Sequence, residues 1–308
     1  MNGPFLRGPT LRLTEARWFR RLATGRLGWA VARRFVAGPT LDDAIRVARE
    51  LDRRKVGTIL DHLGENVTAP EHAADAVGAY TRALERLREE RELDAAISVK
   101  LTQLGLDFSN ELCVANLERV LKAAEAAHTL VMIDMESSEY VDRTIQVFLE
   151  LRSRWERVGL ALQSYLRRTP EDVERLPARS VIRLVKGAYL EPPEVALTSR
   201  REVGAAFAHL AATLLARGHV VHVATHDPKL LDGTVRYVTE QGLAWSRVEF
   251  QMLHGVRRDL QARFAAEGYP VRVYVPYGSE WYPYLTRRLA ERPANMWFFL
   301  SNLLRVGR

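Results

Sequence analysis

AISVKL at residues 96–101 and TLVMIDM at residues 129–135 are short β-type runs, and residues 110–127 between them have a helical period. Both runs are nearly continuous in apolar residues, as in strands of a parallel sheet covered on both faces. The rhythm extends in both directions. Before these runs stands VGTILD (56–61), and after them VGLALQ (158–163), VIRLV (181–185), HVVHVAT (219–225), RVEFQM (247–252) and VRVYV (271–275). Helical segments at 70–92, 138–154, 170–176, 199–217, 228–241, 256–267 and 279–291 complete the alternation. Eight strand–helix units in about 250 residues predict an α/β protein of the (βα)8 TIM-barrel class. A doubly wound open sheet is the alternative.

Ahead of the barrel, residues 11–36 have helical character, and Thr40-Leu-Asp-Asp reads as an N-cap with acids in the first turn of a second helix ending near Leu51. We therefore divide the chain into an N-terminal helical segment, 1–55, and a barrel domain, 56–308. The net charge of +7 is uneven: residues 1–55 hold 13 Lys+Arg against 5 Asp+Glu, and the remainder 32 against 33. The basic excess belongs to the N-terminal segment, which argues against a nucleic-acid-binding body. A basic, Trp-bearing helix suits an anionic membrane surface, and equally a helix packed on the barrel. The single cysteine, Cys113, excludes an intrachain disulfide and reads as a small buried hydrophobe. No apolar run reaches the ~18 residues of a membrane span, and no secretory signal is present, so a cytoplasmic location is expected.

Barrel chemistry is expected at the C-terminal strand ends. Polar residues gather there: Lys100 on strand two, Asp134 on three, Gln163 on four, Arg183 and Lys186 on five. Thr225 and His226 follow strand six, Gln251 is on seven and Tyr274 on eight. Titratable groups converging from several strands make a site. His219 and His222 fall on opposite faces of their strand, so no metal centre is expected. No two glycines stand one residue apart, which disfavours a Rossmann dinucleotide fingerprint. The small turn Lys186-Gly187-Ala188 lets backbone approach an anionic group.

The last helical segment, WYPYLTRRLAER (281–292), sets Tyr284, Arg287, Arg288 and Glu291 at i, i+3, i+4 and i+7, on one face. Two guanidiniums, a carboxylate and a ring suit a small zwitterion. The same face serves equally as a solvated one, with the arginines paired to Glu291.

SVKLTQLG, the aspartate of VMIDME, LQSYL, RLVKGAY, ATHDP, EFQMLHGV, and YVPYG followed by WYPYLTRRLAER resemble, in this order and through residues 56–300, the proline dehydrogenase family. The length resembles its monofunctional bacterial form. The resemblance implies a distorted (βα)8 barrel with non-covalent FAD that oxidises L-proline to Δ1-pyrroline-5-carboxylate. Hydride passes to flavin N5 and electrons go on to a membrane quinone, the first step of proline catabolism to glutamate. By the same resemblance Arg287 and Arg288, helped by Lys100, grip the proline carboxylate, and Ala188, Tyr274, Tyr284 and Glu291 shape the pocket. Asp134 and Arg183 act at the active centre, Asp134 through Tyr274 or an arginine and Arg183 near flavin N5. Met135, Gln163, Arg183, Val185, Lys186, Gly187, Thr225 and His226 contact FAD. A separate pyrroline-5-carboxylate dehydrogenase is implied as the enzyme that takes the product. Leu190 departs from the pattern, since some relatives carry an aromatic residue there, near the adenine.

Among other flavin barrels, a methylenetetrahydrofolate reductase relative would need room for a pterin rather than an arginine clamp. A hydroxyproline-preferring relative would crowd the Tyr284 hydroxyl. A basic binding protein without flavin would show binding that falls steeply with salt.

Overall fold

The computed structural model describes residue 29, residues 32–64 and 67–282, and residue 284. Helix α1 spans Leu41–Asp52 and leads into β1, Gly57–His62. Six strand units follow in order: α2 (Pro70–Glu89), β2 (Ala95–Val99), α3 (Asn110–Ala126), β3 (Val131–Ile133), α4 (Val141–Arg152), β4 (Val158–Gln163), α5 (Thr169–Glu174), β5 (Val181–Val185), α6 (Arg200–Ala216), β6 (Val220–Ala224), α7 (Pro228–Glu240) and β7 (Val248–Leu253). Helix α8 (Arg258–Ala266) and β8 (Val271–Tyr277) end the series. All eight strands are parallel and close into a barrel in sequence order, with Ile59 of β1 opposite Tyr274 of β8 at the seam. The open-sheet alternative is thereby excluded.

Strand alternation explains why apolar runs can carry a polar interior. At one parity Ile97, Val99, Ile133, Ile182, Leu184, Val221, Val223, Phe250, Met252, Val273 and Val275 are buried in the hydrophobic core. At the other parity Ser98, Arg183, His222, Gln251 and Tyr274 meet one another across the barrel.

Helix starts follow their caps. Thr40 and Asp43 form a capping box on α1, and Ser109, Ser199 and Asp227 cap α3, α6 and α7. Several predicted elements are trimmed, and two of these bear on the site. The strand expected at 129–135 is only Val131–Ile133; Asp134 keeps one ladder bond, its N–H to Val99 O at 2.9 Å. The helix expected from 138 opens as a 3-10 turn, Ser138–Tyr140, where Glu191 accepts both the N–H and the hydroxyl of Ser138 at 2.7 and 2.6 Å.

Residues 34–38, ahead of α1, lie on the C-terminal rim at β7 and β8. Ala37 N–H donates to Pro276 O and Gly278 N–H to Gly38 O, both at 2.9 Å. Gly255, with φ +74°, lies so close under Arg34 that a Cβ would sit 1.7 Å from its carbonyl oxygen. The Trp29 and Trp281 rings meet at a tilt of 56°, with centroids 5.2 Å apart. Most of the basic 11–36 helix lies outside the described residues. Among the described residues no helix is long and apolar enough to cross a membrane. Cys113 is buried and unbridged, and burial pushes its thiol up to about 12.

Candidate active site

Asp134 follows β3 directly and faces the barrel mouth. Its Oδ2 accepts the Tyr274 hydroxyl at 2.7 Å and lies 3.5 Å from Lys100 Nζ. Its Oδ1 accepts from Ser98 Oγ at 2.7 Å and pairs with Arg183 Nη1. Burial pushes the Asp134 carboxyl up. The charges of Arg183 and Lys100, with hydrogen bonds from Tyr274 and Ser98, outweigh burial and hold it below the usual carboxylate range. Tyr274 goes the other way: burial, then the charges of Asp134 and Asp61, raise its phenol well above the ordinary value. An ionised carboxylate and a protonated phenol are the stable pair.

Arg183 enters from mid-strand on β5 and is 3% exposed. Its Nε donates to Gln251 Oε1 at 2.8 Å, Nη1 to Ser98 Oγ at 2.9 Å and to Asp134, and its Cζ stands 5.2 Å from the Tyr274 ring centroid. Its Nη2 is buried with no hydrogen-bond partner among the described residues, and the same holds for Ser164 Oγ. A buried guanidinium N–H pair left open asks for an acceptor.

Lys100 Nζ also donates to Asp61 Oδ1 at 3.0 Å. Two carboxylates, one ammonium and one guanidinium thus stand at the ends or in the body of β1, β2, β3 and β5, and their charges cancel.

The residues named for a cofactor occupy the neighbouring rim, at the ends of β3 to β6. Met135 is buried beside Asp134 in sequence, and Gln163 Nε2 donates to Glu136 O at 2.9 Å. Val185 closes β5, its carbonyl accepting Ser164 N–H at 2.8 Å. Lys186 Nζ reaches Asp227 Oδ2 at 2.8 Å, and Ala188 continues the same turn. Gly187 has φ +119°, and a Cβ on it would lie 2.2 Å from the Tyr165 ring. Glycine is required there on both counts. Thr225 Oγ1 accepts Asp227 N–H at 3.2 Å, and His226 Nε2 accepts Leu253 N–H at 2.9 Å, which puts the proton of the neutral ring on Nδ1.

Tyr284 is buried, 6% exposed. Arg287, Arg288 and Glu291 lie outside the described residues. Several participants were not singled out from sequence, Asp61, Ser98 and Tyr165 among them. Asp61 ends VGTILD, the one strand to which no polar end was assigned. Ser98 is hidden in AISVKL, though its parity with Lys100 is the signal that marks it. Tyr165, inside LQSYL, backs the Gly187 turn.

A family model described as proline dehydrogenase matches residues 44–300. Proline dehydrogenase 1 of Bacillus subtilis (strain 168) is 37% identical over 275 residues, covering 89% of this chain and 91% of that protein. Proline dehydrogenase of Deinococcus radiodurans is 37% identical over 283 residues, covering 90% and 91%. The crystal structure of proline utilization A (PutA) from Bdellovibrio bacteriovorus inactivated by N-propargylglycine matches with TM-score 0.80 at 26% identity over 85% of this chain. The match spans 32% of that longer protein. Fold, strand-end chemistry and both kinds of likeness agree, and the chain belongs to the proline dehydrogenase family.

Proposed function

We propose that this protein oxidises L-proline to Δ1-pyrroline-5-carboxylate with non-covalently held FAD and passes the electrons to a membrane quinone. The observation that carries the reading is Arg183, a buried cation locked on one side by Asp134, Ser98 and Gln251 and open at Nη2. The residues fit a flavin: the open Nη2 and the Ser164 hydroxyl are donors without acceptors among the described residues, and the Gly187 turn has no side chain at its surface. Met135, Gln163, Val185, Lys186, Gly187, Thr225 and His226 would hold it. When bound, FAD supplies at N5 the acceptor for the electron pair that leaves the substrate C5–H.

The chain's own residues supply placement. Arg287 and Arg288, with Lys100, take the substrate carboxylate in fork geometry, and Ala188, Tyr274, Tyr284 and Glu291 bound the ring. Asp134, held ionised below the usual range, is a weak base. Its work is to fix Arg183, Lys100 and Tyr274 rather than to remove a proton. The substrate nitrogen must therefore reach the site neutral, its lone pair forming the C=N bond as C5–H departs. Residues 11–36, basic and Trp-bearing, would bring the enzyme to the inner face of the cytoplasmic membrane, where the quinone is. The reactive product calls for a dehydrogenase that oxidises it onward, a separate pyrroline-5-carboxylate dehydrogenase.

Purified protein given L-proline and a soluble quinone should form a cyclic imine that o-aminobenzaldehyde traps as a coloured adduct. No adduct with flavin-loaded protein would overturn the proposal.

A further inference from the structure

Below Arg183 the barrel holds a column of polar and charged groups, with Gln251 and His222 buried, Glu249 and Arg272 part-buried and Asp94 exposed at its foot. Barrel interiors are usually packed with branched aliphatic residues. Here Gln251 of β7 accepts from Arg183 Nε at 2.8 Å with its Oε1. Its Nε2 donates to Glu249 Oε1 at 2.7 Å and lies 2.8 Å from His222 Nδ1. Glu249 Oε2 accepts from Arg272 Nε at 2.9 Å, and Arg272 Nη2 reaches Asp94 Oδ1 at 2.7 Å. Arg272 Nη1 is spent on the carbonyls of Thr58 and Asp94, at 3.2 and 3.1 Å.

The column fixes a direction. A carboxamide can turn over and exchange its oxygen and nitrogen. In Gln251 the exchange would set an NH2 against the Arg183 N–H and an oxygen against the Glu249 carboxylate, so one orientation is enforced from below. Burial pulls His222 down to about 4, which leaves its ring neutral and its Nδ1 free to accept. Glu249 is pushed up by burial, but the charge of Arg272 and the hydrogen bonds from Gln251 and Arg272 act against that, and its carboxyl stays below the usual range. Arg272 is the cation that holds this carboxylate in place.

The guanidinium is rigid and planar. Once Nε is held by Gln251 and Nη1 by Ser98 and Asp134, the plane is set and the direction of Nη2 with it. Replacing Asp134 disturbs a group at the mouth of the site, whereas Gln251 acts from beneath.

We propose that Gln251, its amide oriented by Glu249 and His222, is a positioning residue that aims the open Nη2 of Arg183 at the reacting centre. The inference rests on the flavin reading given above. Glu249 and His222 act through Gln251, and Arg272 through Glu249.

The test compares the FAD-loaded wild-type protein with Gln251→Leu and with Glu249→Gln. For each, flavin content, Tm, the flavin midpoint potential without substrate, KM for L-proline, and the rate of anaerobic flavin reduction are measured. We expect Gln251→Leu to keep its flavin and a KM within about threefold, since the carboxylate clamp is elsewhere. Its flavin reduction should slow roughly 10- to 100-fold, with a lower midpoint potential, because a misdirected cation stabilises the reduced ring less. Glu249→Gln should show the same split more weakly, and it decides the matter if Gln251→Leu does not fold. Unchanged potential and reduction rate in a folded variant would overturn the inference. So would losses of flavin, KM and Tm in parallel, which mark a purely structural column. Wild-type protein whose flavin ignores proline would overturn the functional reading and this inference with it; a bleaching wild type with indifferent variants overturns the inference alone.

Discussion

Tyr274 donates its hydroxyl to Asp134 Oδ2 at 2.7 Å from the far side of the barrel, while Arg183 pairs with Oδ1. Residues 140 apart in sequence are thus joined through one carboxylate. Asp134→Asn leaves Arg183 and Lys100 with excess positive charge in a buried place, and removing one partner of such a pair costs about 3–5 kcal/mol. We expect kcat/KM for L-proline to fall at least about 100-fold. Tyr274→Phe removes one hydrogen bond to a charged group, worth about 1.5–3 kcal/mol, and should cost roughly 10- to 100-fold. Steady-state kinetics on flavin-loaded variants check both. Wild-type rates in Asp134→Asn would refute its placement at the centre.

Arg288→Met should raise KM for L-proline roughly 10- to 100-fold, the loss of one charge-assisted contact, while flavin stays bound. Substrate titration of the variant, with the flavin-to-protein absorbance ratio recorded beside it, separates the two roles. An unchanged KM would remove Arg288 from the carboxylate clamp.

Gly187→Ala puts a methyl group 2.2 Å from the Tyr165 ring at a backbone angle of φ +119°. The turn must deform, at a cost above about 1 kcal/mol. We expect the variant to purify with little or no flavin, and the flavin-to-protein absorbance ratio reports it. Full flavin content would show that this turn does not contact the cofactor.

Stability should fall on acidification through the range set by His222. In the unfolded chain the ring takes a proton near its ordinary 6.5; in the folded protein burial delays this to about 4. Between those values the unfolded state binds more protons, so stability present above pH 6.5 is lost as pH falls toward 4. The loss attributable to His222 is on the order of 3 kcal/mol. Urea midpoints between pH 7.5 and 4.5 should decline, and less steeply in His222→Asn. Parallel slopes for the two proteins would contradict the assignment.

The barrel was legible because buried parallel strands are nearly unbroken apolar runs, and eight of them allow few architectures. The positions of Lys100, Asp134 and Tyr274 were legible as polar residues near strand ends. Their pairing was not legible from the residues themselves, since it depends on the stagger between strands; only the family resemblance offered Tyr274, or an arginine, as the partner of Asp134. Asp61 escaped notice because an acid after an apolar run reads as the start of a loop. The column of His222, Glu249 and Arg272 was hidden for a related reason. Each lies within a largely apolar strand, and only the register between β6, β7 and β8 makes them neighbours.

The decisive measurement is the visible spectrum of the purified protein before and after L-proline is added without oxygen. We expect a flavin spectrum that bleaches on addition and returns when a soluble quinone follows. A flavin spectrum indifferent to L-proline, or a protein that cannot be loaded with FAD, would contradict the account.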